Sequence, residues 1–192
     1  MLMKFMKKYK CYTDGSYQSS RNTGGWASII CDENDNVLKE LYQGHKFTTN
    51  NREEIRAVLE TLKYFKEPSD ITIISDSNYV VNTINQGWAK KWFNEKDFSK
   101  SNLDLWFNLL DLLEFHKVTM KWTKGHSNNN LNNKADELAQ FSARCLNLPE
   151  DEYCIKSKEI GESLVSEHSA WGSNRFSVGQ KDGKILFSLG QE

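Results

Sequence analysis

The chain has 192 residues, of which 38% are hydrophobic and 27% charged, with 25 Lys and Arg against 26 Asp and Glu and a formal net charge of −1. That length accommodates one sizeable core and a small appendage; the composition excludes a disordered chain, and the near-neutral charge argues against a general polyanion binder. The charge is uneven, since residues 1–144 hold 20 Lys and Arg against 18 Asp and Glu while residues 145–192 hold 5 against 8, so a nucleic acid is expected on the first part, through local patches.

Cys11, Cys31, Cys145 and Cys154 form no C-x-x-C pair, which argues against zinc. Their scatter suits free, mostly buried thiols in a reducing, cytoplasmic setting. No run of about 18 apolar residues exists to span a membrane, and Met1 to Lys10 lacks the apolar core of a signal peptide.

Tyr9, Cys11 and Thr13 alternate with Lys10, Tyr12 and Asp14, which predicts a strand ending at the Asp14-Gly15-Ser16 turn. Gln18 to Gly25 reads as a loop. Trp26 to Cys31 and Val37 to Phe47 read as the second and third strands of an antiparallel meander. Thr48-Thr49-Asn50-Asn51 signals a helix entry, and Ile55, Val58, Leu59, Leu62 and Phe65 form its apolar stripe, with Pro68 at the exit. Glu53 and Glu54 both lie in its first turn, where the helix dipole favours acid.

Ile71 to Ile74 predicts a buried strand that runs into Ser75-Asp76-Ser77, followed by a short helix through Val80, Val81 and Ile84. Gly87 to Asn102 reads as irregular. There Trp88, Trp92 and Phe93 interleave with Lys90, Lys91, Lys96 and Lys100, a pattern suited to base stacking and phosphate contact. Ser101 is expected to open a helix with Asp104 at the capping-box position and Leu103, Trp106, Leu110 and Leu113 facing inward. Val118, Met120 and Trp122 predict a fifth strand leading to Lys124-Gly125-His126. After an Asn-rich stretch, a last helix starts at Leu131 or Asn132, with Ala135, Leu138, Ala139, Ser142 and Leu146 inward and Asp136 and Glu137 in its first turn.

The expected order is thus β-β-β-α-β-α-loop-α-β-α. Two acids end strands, Asp14 and Asp76, and two begin helices, Glu54 and Asp136. If the strands bearing Asp14 and Asp76 are neighbours, the four carboxylates converge at one end of the sheet, where open α/β sheets place their sites. Such a cluster would raise its members' pKa values and persist by holding cations. Oxygen donors without Cys or a His pair point to Mg²⁺ or Mn²⁺, and paired ions point to metal-dependent phosphoryl transfer on an unspecified polymer.

The chain resembles the type 1 ribonuclease H family. The resemblance lies in Tyr12-Thr13-Asp14-Gly15-Ser16, Thr49-Asn50-Asn51-Arg52-Glu53-Glu54, Ser75-Asp76-Ser77-Asn78-Tyr79-Val80, Asn102-Leu103-Asp104-Leu105-Trp106, Trp122-Thr123-Lys124-Gly125-His126 and Ala135-Asp136-Glu137-Leu138-Ala139, in family order over roughly residues 8–147. It implies a ribonuclease H-like fold, a five-stranded mixed sheet flanked by helices. It also implies an endonuclease that cleaves the RNA strand of RNA–DNA hybrids and leaves 5′-phosphate and 3′-hydroxyl ends. It selects Glu54 over Glu53 and Asp136 over Glu137. Asp14, Glu54, Asp76 and Asp136 would hold two Mg²⁺ ions, with Mn²⁺ as a substitute, and His126 would assist proton transfer or product release. Asn50, Asn51 and Asn78 would read RNA 2′-hydroxyls. Thr49 and Asn102 would grip a DNA phosphate, and Trp88 and Trp92, with Lys90 and Lys91, would line the DNA-strand channel. The stretch between Asp76 and Trp106 is short for a full basic protrusion, and no separate hybrid-binding module is expected before Asp14.

Other readings belong to the same or a different class. A proofreading-type exonuclease would carry Asp-x-Glu where Asp14 is followed by Gly15-Ser16, and a catalytically silent nucleic-acid-binding module would lack one of the carboxylates. Another nuclease of the same fold could act on DNA, and a reverse-transcriptase fragment would need a polymerase ahead of Asp14. The catalytic domain is expected over residues 1–147 and a C-terminal extension over 148–192. Within the extension, Lys181-Asp182-Gly183 between alternating hydrophobic stretches predicts a hairpin over about 175–189. Its apolar face would cover the catalytic domain, a dimer mate or a replication partner.

Overall fold

A computed structural model describes residues 5–125, 128–151, 176–181 and 184–189. Strands β1 (Lys8–Gln18), β2 (Thr23–Asp32) and β3 (Val37–Lys46) form the antiparallel meander, and β4 (Asp70–Ser75) and β5 (Lys117–Trp122) extend it in parallel, in the order β3-β2-β1-β4-β5. The helices are α1 (Asn50–Tyr64), α2 (Asn78–Asn85), α3 (Trp88–Glu95), α4 (Leu103–Phe115) and α5 (Asn130–Arg144).

Period-2 alternation divides the core between the two faces of the sheet. Cys11 pairs with Ile30 and with Ile73, and all three face the cluster of Ile55, Leu62, Leu103 and Trp106 supplied by α1 and α4. The next residue, Tyr12, pairs with Ile29 and Ile74, and these face Ala135, Leu131 and Leu138 of α5. Among the described residues, no helix is long and apolar enough to cross a membrane.

The structure corrects several expectations. Asp14-Gly15-Ser16 is not a turn: β1 runs on to Gln18, Gly15 pairs with Trp26, and the chain reverses at residues 19–22. The expected loop between Gly87 and Asn102 contains α3, entered through Gly87 and left through Lys96, both at positive φ. Asn102, rather than Ser101, caps α4, also at positive φ, and Asp104 forms no capping box because its carboxylate is taken by Arg52. α5 starts at Asn130, capped by the Asn129 side chain, and Leu146 lies past its end, 81% exposed.

The start of the expected extension runs against the catalytic unit. Lys46 N–H donates to Pro149 O, and Asp151 N–H donates to Lys46 O, each at 2.8 Å. Strands β6 (Phe176–Lys181) and β7 (Lys184–Leu189) pair antiparallel as a second sheet, and residues 182–183 between them lie outside the described residues. Cys11 and Cys31 are buried free thiols, and Cys145 is partly exposed.

Candidate active site

The parallel pairing of β1 with β4 ends at Thr13 and Ser75. Asp14 and Asp76 follow those two residues directly, so the register alone sets the two carboxylates side by side. Glu54 reaches them from α1, which crosses β1 at Gly15. A Cβ on Gly15 would stand 2.5 Å from Glu54 N and 2.8 Å from Glu53 C. Gly15 is there for close approach within a strand, not for a turn. The carboxylate oxygens of Asp14, Glu54 and Asp76 gather within 4.8 Å of one another, with Asp14 and Glu54 buried and Asp76 half-buried.

Asp14, Asp76 and Asp136 each have local hydrogen bonds. Gly15 N–H donates to Asp14 Oδ1 at 2.9 Å. The backbone at Asp76 is fixed by β5: the indole N–H of Trp122 donates to Asp76 O at 3.0 Å, and Thr123 N–H donates to Ser75 O at 2.9 Å. Gly125 leaves room for the carboxylate, since a Cβ there would lie 2.7 Å from Asp76 Oδ2. Asp136, in the second turn of α5, stands outside the tight trio but interacts with Asp14, and Gln140 donates to its Oδ1 at 2.9 Å.

Burial, then the charges of Asp76 and Asp136, push the Asp14 carboxyl up to about 8. Burial, then the charges of Asp14 and Asp76, also hold the Glu54 carboxyl well above its ordinary range. Glu54 Oε2 is buried without a hydrogen-bond partner. An all-oxygen donor set, mutual repulsion and an orphaned buried oxygen together fit a divalent hard cation. The acids could therefore hold such an ion and place it beside a phosphodiester.

The expected nucleic-acid residues fall into two groups. Thr49 caps α1, its Oγ1 accepting from Arg52 N–H at 3.2 Å, and Thr49, Asn50, Asn51 and Asn78 are exposed. Asn102 is buried at the start of α4 and meets Arg52 of α1. On α3, Trp88 and Trp92 have ring centroids 6.5 Å apart. Trp92 packs on the core with Lys100 over its ring, while Trp88 is 40% exposed. Lys90 and Lys91 are exposed beside Glu114 and Glu95, at 3.9 and 4.0 Å. His126 lies outside the described residues.

Sequence reasoning missed Arg52, Trp122 and Asp151. Arg52 is fully buried between Asp104 and Asp151. A cation in the first turn of a helix opposes the macrodipole, and that misplacement was the available signal that Arg52 has buried anionic partners.

A ribonuclease H family model matches residues 6–144. A ribonuclease H of Chlorobium phaeovibrioides is 40% identical over 143 residues, covering 72% of this chain and 97% of that protein. A ribonuclease H of Caldicellulosiruptor saccharolyticus is 42% identical over 142 residues, covering 70% and 95%. Among solved structures, LC9-RNase H1, a type 1 RNase H with the type 2 active-site motif, superposes with a TM-score of 0.64 at 20% identity over 84% of this chain and 85% of that one, a likeness of fold.

Proposed function

From the premise that the chain belongs to the ribonuclease H family and is a ribonuclease H enzyme, we propose that it is an endonuclease hydrolysing the RNA strand of RNA–DNA hybrids with divalent cations. The observation that carries the proposal is the convergence of Asp14, Glu54 and Asp76 at the end of the β1–β4 pair. A silent binding module would have no use for three repelling carboxylates kept together at the expense of burial.

In this reading Asp14, Glu54, Asp76 and Asp136 hold two Mg²⁺ ions, with Mn²⁺ as a substitute. Such ions activate a water and stabilise the leaving oxygen of a phosphodiester. The water oxygen bonds to phosphorus as the bond from phosphorus to the 3′ oxygen breaks, which leaves a 5′-phosphate and a 3′-hydroxyl. Gly15 N–H orients the Asp14 carboxylate, and the Trp122 indole holds the main chain at Asp76. His126 is assigned proton transfer or product release.

Exposed Asn50, Asn51 and Asn78 are assigned to RNA 2′-hydroxyls, the groups that distinguish RNA from DNA. Thr49 and Asn102 are assigned to a DNA phosphate, and Trp88, Trp92, Lys90 and Lys91 to the DNA-strand channel. A cytoplasmic site of action fits the free thiols of Cys11 and Cys31. The extension, proposed to begin at 148, is fastened at its start by Asp151.

A strand-labelled cleavage assay tests the reading. RNA–DNA hybrid, duplex DNA and duplex RNA are compared with Mg²⁺, Mn²⁺ and EDTA. RNA-strand cleavage of the hybrid with added metal is expected, and equal cleavage of duplex DNA would overturn it.

A further inference from the structure

A guanidinium offers five N–H donors, and Arg52 uses every one of them in a fully buried setting. Nε donates to Asp151 Oδ2 at 2.7 Å, and Nη2 donates to Asp151 Oδ1 at 3.0 Å and Asp104 Oδ2 at 2.7 Å. Nη1 donates to Asp104 Oδ1 at 2.8 Å and Asn102 Oδ1 at 3.4 Å. Asp151 is in turn held by Thr48 Oγ1 at 3.0 Å and by Arg56 at 3.1 Å.

The network continues past Arg52. Asn102 donates through Nδ2 to the Tyr79 hydroxyl at 3.3 Å, and the Trp106 indole N–H donates to the same hydroxyl at 3.0 Å. Both ends of the Asn102 amide are therefore engaged, at a residue held at φ 64° that makes no side-chain cap to α4. Arg52 follows Asn51, and Tyr79 follows Asn78. The network thus ties together the N-terminal ends of α1, α2 and α4, which carry the contacts assigned to RNA 2′-hydroxyls and the DNA phosphate; those on α3 lie outside it.

Stability alone is a poor account of this arrangement, because well-packed apolar residues often serve a core as well as a buried ion network does. We propose that Asp151 is a positioning residue for hybrid binding. Through Arg52, whose backbone N–H meets Thr49 Oγ1 and whose guanidinium meets Asn102 Oδ1, it sets the position of Asn102 relative to Thr49, so the C-terminal segment sets affinity for the nucleic-acid backbone without touching it. The proposal rests on the reading of Thr49 and Asn102 as the phosphate grip.

The experiment measures kcat and KM on RNA–DNA hybrid, hybrid affinity in EDTA, and melting temperature. The variants are Asp151→Asn, Asp151→Glu, Asn102→Ala, Thr49→Ala and the double variant Asp151→Asn with Asn102→Ala, all assayed well below their melting temperatures. Asp151→Asn should raise KM and Kd about tenfold, the equivalent of one good contact, while kcat changes less than about threefold on the same scale. Asp151→Glu should recover part of the affinity. In the Asn102→Ala background the Asp151→Asn change should add nothing, since the two act as one unit. A lowered melting temperature with KM and Kd unchanged, or additive losses in the double variant, would overturn the proposal. Unchanged affinity in both Asn102→Ala and Thr49→Ala would instead overturn the reading of the grip, and the proposal with it. If Asp151→Asn does not fold, Thr48→Val carries the test: it removes the hydroxyl that Asp151 shares with Glu53, at 3.0 and 2.8 Å, and no charge, and the part of its smaller affinity loss that runs through Asp151 must vanish in the Asn102→Ala background.

Discussion

Gly15 and Glu54 touch through their backbones: a Cβ on Gly15 would stand 2.5 Å from the Glu54 amide nitrogen. The contact joins the strand that carries one acid of the trio to the helix that carries another. Gly15→Ala must push α1 away from β1. Overpacking of this kind costs about 1–3 kcal/mol, and here it also moves Glu54 relative to Asp14. We expect a lower melting temperature and a loss of cleavage larger than the stability change explains, measured as kcat at a temperature where the variant is fully folded. Wild-type kcat in a folded Gly15→Ala would show that the Asp14–Glu54 spacing is not critical.

The same glycine shows what the sequence carried and what it did not. The strand pattern through Tyr9, Cys11 and Thr13, the Thr49 cap and the strand before Asp76 were readable because each depends on local periodicity or capping. From them the side-by-side placement of Asp14 and Asp76 followed once the strands were assumed neighbours. Asp-Gly-Ser was misread because a glycine serving a tertiary approach looks, in one dimension, like a glycine serving a turn. The helix α3 was missed because Gly87 and the lysines interrupt its apolar stripe. Asp151 was invisible for a different reason. Its side-chain partners Thr48 and Arg52 lie 103 and 99 residues away, and no local pattern reports a pairing of that range.

Asp14→Asn should abolish cleavage while stabilising the metal-free protein. With a folded pKa of about 8 against an ordinary 3.8, the buried carboxyl keeps a proton that the unfolded chain has shed. Its contribution to stability is therefore full below 3.8 and is lost as the pH rises through about 8. In EDTA the wild-type melting temperature should be depressed across that window relative to Asp14→Asn. Mg²⁺ should reverse the difference, because a ligand that binds the folded state alone stabilises it by about 2.7 kcal/mol at a hundred times Kd. Parallel pH profiles for the two proteins in EDTA would refute the electrostatic account of the trio.

Trp122→Phe keeps an aromatic ring and deletes the donor to Asp76 O. One hydrogen bond is worth about 0.5–1.5 kcal/mol, and Trp122 is half exposed, so the fold should lose little. Asp76 loses a restraint, so the Mg²⁺ concentration for half-maximal cleavage should rise severalfold, together with the Mg²⁺ concentration that gives half the thermal stabilisation. Identical Mg²⁺ titrations by both readouts would show that the indole N–H is incidental.

Replacing both Lys90 and Lys91 by Ala should weaken hybrid binding modestly and flatten its salt dependence. Each phosphate contact contributes a slope of about 0.7–0.9 in a plot of log K against log salt, but both lysines already sit near acids, Glu114 and Glu95. A combined change of slope below about two is therefore expected. Trp88→Ala should lower affinity at every salt concentration equally, as loss of stacking does. An unchanged slope in the lysine variant would mean that α3 makes no phosphate contact.

Truncation after Asn147 should destabilise the catalytic unit because it removes Asp151 from Arg52. Burial would raise the Asp151 carboxyl, but hydrogen bonds from Arg52 and the charge of Arg56 outweigh it and hold the pKa at about 2 against 3.8. The acid therefore contributes stability above 3.8 that is lost as pH falls through about 2, on the order of 2 kcal/mol. Removing it outright leaves a buried guanidinium with Asp104 as its remaining carboxylate, and breaking a buried pair costs about 3–5 kcal/mol. A chain ending at Ile155 keeps Asp151 clear of the new terminal carboxylate and should regain most of that loss, and Asp151→Ala in the full chain should reproduce the part that comes from the ion pair, the rest coming from buried Leu148 and the Lys46–Pro149 main-chain bond. Melting at pH 7 compares the three proteins. If the chain ending at Ile155 melts as low as the one ending at Asn147, the stability comes from the residues beyond 155 and not from the Arg52–Asp151 pair.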